Sequence, residues 1–168
     1  MILNQLSAMR PNFIAVDQGA SADPEKRRVS VAGVREAIRM LREGMPVGFF
    51  PAGAIGKTDK EGIIVDRQWQ PTVLQIISKA KVPVIPIYFH GTNSRMFNFF
   101  GHHSILLRTL CLARELFRKR NKPLRVTIGE PVSVEKQLEF GKDYEALGQY
   151  LRRQTYLLSG REITSVAK

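Results

Sequence analysis

Apolar positions along this chain recur at two spacings, and the alternation between them predicts a domain of helices and short strands. Val31, Val34, Ile38 and Leu41 fall three or four apart, the stripe of a helix with one buried face. Ser30 is its candidate N-cap, and Gly44 ends it ahead of Pro46. The run 47–50 then predicts a buried strand. Pro71 suits the first turn of a helix that turns Val73, Leu74 and Ile77 inward, and 82–89 carries the strongest strand signal in the chain. Residues 105–119 predict an amphipathic helix with Leu106, Leu110, Ala113 and Phe117 on one face, 124–128 the next strand, and 144–158 a last helix. Ahead of all these lie a short helical stretch (Ile2, Leu3, Leu6, Met9), an apolar run from Phe13 to Val16, and a polar loop from Asp17 to Arg28.

Helices alternating with apolar strands predict an α/β fold with a mostly parallel sheet flanked by helices, because parallel neighbours need a crossover long enough to hold a helix. Ligands in such sheets sit beyond the carboxyl ends of the strands. Those ends deliver Asp17, Pro51 to Ala54, His90 to Asn93, and Gly129 to Pro131. A length of 168 residues suits one domain over 1–168, able to bury roughly 70% of its unfolded surface, with 159–168 read as a flexible tail.

Charge narrows the partners. The chain has 26 Lys and Arg against 15 Asp and Glu, a net +11, which favours anionic surfaces such as nucleic acid or anionic lipid. No helix-turn-helix, RNP aromatic pattern or zinc spacing supports nucleic acid, which leaves it an unlikely partner. No run approaches the ~20 apolar residues of a membrane span, so membrane contact is expected at the surface only. Cys111 is the sole cysteine, which excludes an intramolecular disulfide and suits buried packing. No His, Cys and carboxylate cluster has ligand spacing, so no metal and no cofactor is expected.

The segment Pro51-Ala52-Gly53-Ala54-Ile55-Gly56-Lys57-Thr58 differs from a phosphate-binding P-loop only at its first position. That difference is decisive, since proline fixes φ and removes an N–H where the loop must wrap phosphate. The residues that follow, Asp59 to Gly62, lack the required helical periodicity.

A different pattern spans residues 13 to 132. Asn12-Phe13-Ile14-Ala15-Val16-Asp17 is an extended segment ending in an acid. Phe50-Pro51-Ala52-Gly53, then Val82-Pro83-Val84-Ile85-Pro86, then Val126-Thr127-Ile128-Gly129-Glu130-Pro131-Val132 follow in order. Together these resemble the second, third and fourth blocks, and the Gly-Pro turn after them, of the glycerolipid and lysophospholipid acyltransferases. Ala52 where that family commonly has Glu, with Asp66-Arg67-Gln68-Trp69 and Gly91-Thr92-Asn93-Ser94-Arg95-Met96-Phe97, resembles its hemolysin-like, ornithine-lipid-type branch. Gln18 departs from the Arg that commonly follows the second block.

The resemblance implies a glycerol-phosphate acyltransferase-like fold. It also implies transfer of a fatty acyl group from a thioester, on acyl carrier protein or acyl-CoA, to a hydroxyl of a lipid or lysolipid acceptor. Such a protein would be cytoplasmic and peripheral to the inner face of an anionic membrane. In the family a His removes the hydroxyl proton and an Asp five residues on orients the imidazole. This chain has no such pair: the residues five places after His90, His102 and His103 are Arg95, Leu107 and Arg108. The expectation is an N-terminally truncated member, with the first part of the fold missing. It would be inactive alone and prone to self-association through an exposed sheet edge. A basic, non-catalytic nucleic-acid- or membrane-binding module is the alternative.

No catalytic residue is assigned, but ten substrate-binding candidates are. Ala52, Gly53 and Ala54 either let substrate approach the backbone or form a tight turn. Pro51 and Pro86 set loop and strand geometry or touch ligand. Lys57 and Arg67 either hold a phosphate or carboxylate head group or are solvated surface. Trp69 is an apolar wall of an acyl site or a core residue, His90 a strand-end residue at the favoured edge of the sheet, and Asn93 a substrate ligand or turn cap. Met96, Phe97, Phe99 and Phe100, beside Arg108, Arg114, Arg118, Lys119 and Arg120, read as either a membrane-docking loop or a core-facing one.

Overall fold

The computed structural model describes residues 14, 24–53, 56–58, 64–91, 93, 94, 97, 111, 114, 115 and 117–160. Helix α1 runs Pro24–Arg42, so it begins well ahead of Ser30, inside the stretch predicted as a polar loop. Pro24 presets φ for a first helical turn, and Glu25, Lys26, Arg27 and Arg28 are good helix formers without an apolar stripe. That is why the hydrophobic pattern misplaces the start, and Ser30 lies inside the helix rather than capping it. The end is as predicted. Gly44 takes φ 81°, its N–H bonds Leu41 O at 3.2 Å, and Met45 N–H bonds Met40 O at 2.9 Å, which is the Schellman closure.

Residues 47–50 form no strand; Phe50 is 81% exposed. A short antiparallel hairpin follows, β1 (Lys57–Thr58) with β2 (Ile64–Val65), whose two-residue strands are too short to leave a periodic signal. Helix α2 (Pro71–Ala80) starts on Pro71 as predicted and closes on Lys81 in the left-handed region. It buries Leu74 and Ile77 as expected, and also Ile76, which is fully enclosed.

The predicted strand over 82–89 contracts to β3 (Ile87–Phe89), with an isolated bridge from Val84 to Val132. Pro83 and Pro86 have no N–H to donate, so pairing is confined to the residues between and after them. β3 pairs with β4 (Val126–Ile128) in the register Ile87↔Ile128, Tyr88↔Thr127, Phe89↔Val126, and the pairing is antiparallel. The fold is α/β, but both strand pairs among the described residues are antiparallel, against the mostly parallel sheet predicted. A long connection permits a parallel return without requiring one.

Two helices complete the description. α3 (Val134–Leu138), which the hydrophobic pattern misses, is capped by Ser133, whose hydroxyl accepts from Lys136 N–H. α4 (Tyr144–Leu157) is capped by Asp143, whose carboxylate accepts from Ala146 N–H at 2.9 Å. Between β3 and β4 the described residues of 111–119 are helical, but Phe117 is 70% exposed rather than inward. Glu115 takes the inward position instead; two residues along a helix are some 200° apart, so both cannot face in.

The core lies between α2 and α4. Leu74, Ile77, Val132, Leu147 and Leu151 are buried together, with Trp69, Val73, Val84, Phe140, Tyr144 and Tyr150 packed around them. Gly148 lets the two helices approach so closely that a Cβ there would sit 2.7 Å from Leu74 Cδ1. Tyr88 and Thr127 are half-buried on one face of the β3–β4 pair, and the opposite face carries Ile85, Ile87, Phe89, Leu124, Val126 and Ile128, all exposed.

Candidate functional site

Phe50, Pro51, Ala52 and Gly53 form a turn closed by Gly53 N–H on Phe50 O at 3.0 Å. Gly53 takes φ 64°, a conformation that side-chain-bearing residues rarely adopt, so the small residue is required by the turn itself. Pro51 O accepts from Gln70 N–H at 2.8 Å, which ties the turn to the start of α2. Ala52 is buried and points no functional group outward, whereas the Phe50 ring meets Phe89 with centroids 6.4 Å apart. The Phe50–Gly53 turn and the end of β3 are therefore neighbours.

Behind the sheet lies a polar cluster that the sequence pattern does not single out. Arg152, on the α2-facing side of α4, is nearly fully buried, and its Nη2 donates to Asp66 O at 2.7 Å. Tyr156, one turn on, accepts from Asp66 N–H at 2.9 Å, and the Arg152 guanidinium lies 5.6 Å from the Tyr156 ring centroid. Burial pushes the Asp66 carboxyl above its ordinary value, and the Arg152 charge and the Tyr156 hydroxyl oppose that rise without cancelling it. Burial likewise raises Tyr156. Arg152 Nε and Trp69 Nε1 are buried without a hydrogen-bond partner. The signal that could have found this pair is their spacing: Gly148, Arg152 and Tyr156 recur every four residues beside Leu147 and Leu151, which puts them at the helix face turned to the core.

The cluster connects to the strand end. Tyr156 and Tyr88 rings lie 6.0 Å apart, and Tyr88 meets the His90 ring edge-on at 5.0 Å. His90 Nε2 is 2.7 Å from Thr127 Oγ1, so this imidazole pairs with a hydroxyl of the neighbouring strand, and among the described residues no carboxylate orients it. Pro86 is buried and accepts from Gly129 N–H at 2.9 Å; a Cβ on Gly129 would meet Pro86 Cγ and Leu158 Cδ2 at 3.0 Å each.

The structure thus gathers Pro51, Ala52, Gly53, Trp69, Pro86 and His90 around the β3–β4 pair and the helices packed on it. Trp69 belongs to the core rim. Arg67 is exposed and Lys57 sits in the separate β1–β2 hairpin. Asn93 Oδ1 accepts from Lys119 Nζ at 2.7 Å, tying the segment after β3 to the helical residues of 111–119. Phe97 is 1% exposed and Ser94 N–H bonds the buried Glu115 carboxylate at 3.1 Å, so Phe97 faces the core and not a membrane. Ala54, Met96, Phe99, Phe100 and the tail beyond 160 lie outside the described residues. Among the described residues no group of His, Cys, Asp and Glu could hold a metal ion. What the arrangement offers is a small-residue turn against an apolar sheet, with a buried cation behind it.

No family model matches the chain, and no solved structure does. Two curated relatives do. One, a lyso-glycine lipid O-acyltransferase of Bacteroides thetaiotaomicron, is 26% identical over 137 residues, covering 78% of this chain and 47% of the relative. The other carries the same description in Phocaeicola vulgatus and is 25% identical over 137 residues, covering 78% of this chain and 46% of the relative. The chain therefore spans about half the length of the curated relatives it matches.

Proposed function

We propose that this chain, which is similar to two curated lyso-glycine lipid O-acyltransferases, supplies the substrate-holding half of a lipid O-acyltransferase site. The reaction joins a fatty acyl group, delivered as a thioester on a carrier protein or coenzyme A, to a hydroxyl of a lysolipid. The ester C–O bond forms, the thioester C–S bond breaks, and the hydroxyl proton goes to a base. The observation that carries this reading is the Phe50–Gly53 turn seated against Phe89 at the end of β3. The turn lies beside an apolar sheet face, along which an acyl chain can lie.

The proton step is what these residues do not supply. His90 is held by Thr127, and the sequence carries no His followed five places later by Asp. The chain alone is accordingly inactive on this reading. Phe117 and Leu124, exposed next to Arg118, Arg120, Lys122 and Arg125, support a peripheral position on an anionic membrane such as the cytoplasmic face of an inner membrane. Among the described residues no helix is long and apolar enough to cross one. The open sheet face supports self-association.

Two measurements on the purified chain test this. Acyl transfer from acyl carrier protein or acyl-CoA to a lyso-glycine lipid should be undetectable with the chain alone, while the lysolipid itself should bind. Phe50→Asp should weaken that binding. Robust turnover would refute the missing-base argument, and lysolipid binding indifferent to Phe50→Asp would refute the placement.

A further inference from the structure

A groove of about 670 Å³ separates the carboxyl-terminal halves of α1 and α2, lined by Arg35, Ile38, Arg39, Arg42 and Glu43 on one wall and Ser78, Lys79 and Lys81 on the other. Arg39 is committed: its Nη2 meets Glu36 Oε1 at 2.6 Å and its Nη1 meets Glu43 Oε1 at 2.7 Å. Arg35, Arg42, Lys79 and Lys81 are exposed and have no ion-pair partner among the described residues. Two helices end here, and each carries the equivalent of roughly half a negative charge at its carboxyl terminus. Together they offset about one cation. About three of the four remain uncompensated around one groove, so capping of the helix ends does not account for them all.

The geometry of the groove selects among anions. Arg35 and Arg42 are seven residues apart on α1, on the same face and about 10 Å apart along the axis at 1.5 Å per residue. Ile38 lies between them, half-buried, as an apolar floor. Lys79 and Lys81 form the opposite rim. A small anion is held by donors converging on one point. Two separated pairs of cations, the α1 pair with Ile38 between its members, match instead two turns of a helix that has carboxylates along both sides and an apolar residue over Ile38.

We infer that the α1–α2 groove docks an acidic amphipathic helix of a partner protein, the partner being the acidic carrier that presents the acyl thioester. The acidic helix follows from the groove alone; the identity of its owner rests on the acyl-transfer reading. The groove lies on α1 and α2, so carrier docking and lysolipid binding at the sheet are separable by mutation.

The test titrates the fluorescently labelled chain with an acyl carrier protein lacking its pantetheine arm, and in parallel with coenzyme A and with vesicles containing anionic phosphatidylglycerol. Arg35→Glu/Arg42→Glu and Lys79→Glu/Lys81→Glu each reverse one wall at exposed positions. Lys142→Glu/Arg153→Glu makes the same change in net charge elsewhere. The expected result is carrier binding that weakens as salt rises, and that falls at least tenfold in either groove variant and less than threefold in the control, with melting temperatures matched. Three results would overturn it: carrier binding indifferent to the groove variants, coenzyme A bound in the groove and displacing the carrier, or vesicle binding lost in the groove variants while carrier binding persists. Lysolipid binding by the same variants should be unchanged. If that too is absent in the parent chain, the acyl-transfer reading fails, whereas its persistence with no carrier binding removes only the docking groove.

Discussion

Gly148→Ala should destabilise the protein, and the same substitution should stabilise it once Leu74 is shortened to alanine. The new methyl carbon at 148 would sit 2.7 Å from Leu74 Cδ1, 3.5 Å from Cδ2 and 3.7 Å from Cγ. Leu74 is 3% exposed within the α2–α4 core, so its methyls have little space to retreat into. Overpacking of this kind costs about 1–3 kcal/mol. Opposing it, alanine in a helix interior is favoured over glycine by about 1 kcal/mol. The net in the parent is a loss between near zero and about 2 kcal/mol. Leu74→Ala alone should cost about 2–5 kcal/mol through lost burial and a cavity. In that background the clash is gone and only the helix preference remains, so adding Gly148→Ala should recover about 1 kcal/mol. The coupling between the two sites, about 1–3 kcal/mol, is read from urea midpoints of the parent, both single variants and the double. If Gly148→Ala stabilised both backgrounds equally, Leu74 would be free to swing away, and the claim that this glycine sets the helix separation would be wrong.

Three further outcomes follow from the same structure. Phe97→Ala should cost about 3–5 kcal/mol by thermal or urea unfolding, because the ring is a core element; a loss confined to vesicle binding would return it to the membrane side. Asp66 has its carboxyl pKa raised by burial above the ordinary 3.8, so stability is greatest below that value and falls as pH rises to the folded-state pKa; Asp66→Asn should flatten that fall in urea midpoints taken from pH 3 to 7. Ala52→Glu restores the glutamate common at this block in the resembling family. Because position 52 is 6% exposed, the variant should be less stable, and more so at pH 8 than at pH 5, as a buried carboxyl resists ionisation; equal melting temperatures at the two pH values would show the loop opening to admit the side chain.

The elements that reading the sequence placed correctly are those with their own punctuation. Pro71 marks a helix start by a mechanism that acts within one turn, and Gly44 ends α1 for the same reason. The start of α1 was hidden because its first turn is held by charged helix formers rather than by an apolar stripe. Strand direction was not legible at all: pairing is a contact between residues 87–89 and 126–128, and nothing local to either segment records which way the partner runs. The outward turn of Phe117, and the inward turn of Phe97, which the sequence leaves open between a membrane-docking and a core-facing loop, have a similar cause. Both are aromatic beside basic residues, and only the phase of the intervening helix, set by Glu115 bonding Ser94, decides which one turns inward. At the site, the turn Phe50–Gly53 and its neighbour strand were legible as motifs. Arg152 and Tyr156 were not, because a buried arginine on an otherwise ordinary amphipathic helix acquires its meaning from Asp66, more than eighty residues away.

That buried arginine bears on how the site is built. A guanidinium taken out of water is costly unless its donors are satisfied, yet Arg152 leaves Nε unpaired and spends Nη2 on a backbone carbonyl rather than on the Asp66 carboxylate. A pair optimised for stability would join the two charges directly. Holding Asp66 by its backbone from both sides, through Arg152 on its carbonyl and Tyr156 on its N–H, instead fixes the segment 66–70 against α4. The Gln70 N–H to Pro51 O bond then passes that rigidity to the Phe50–Gly53 turn. The arrangement positions a loop at some cost in stability, which the substrate-holding role proposed for the turn would require. The opposite face of the sheet, with Ile85, Ile87, Phe89, Leu124, Val126 and Ile128 exposed, has no comparable support among the described residues. A two-stranded sheet is marginal until more chain packs on it, so on the proposed function this apolar face is the surface against which a segment supplying the base would pack.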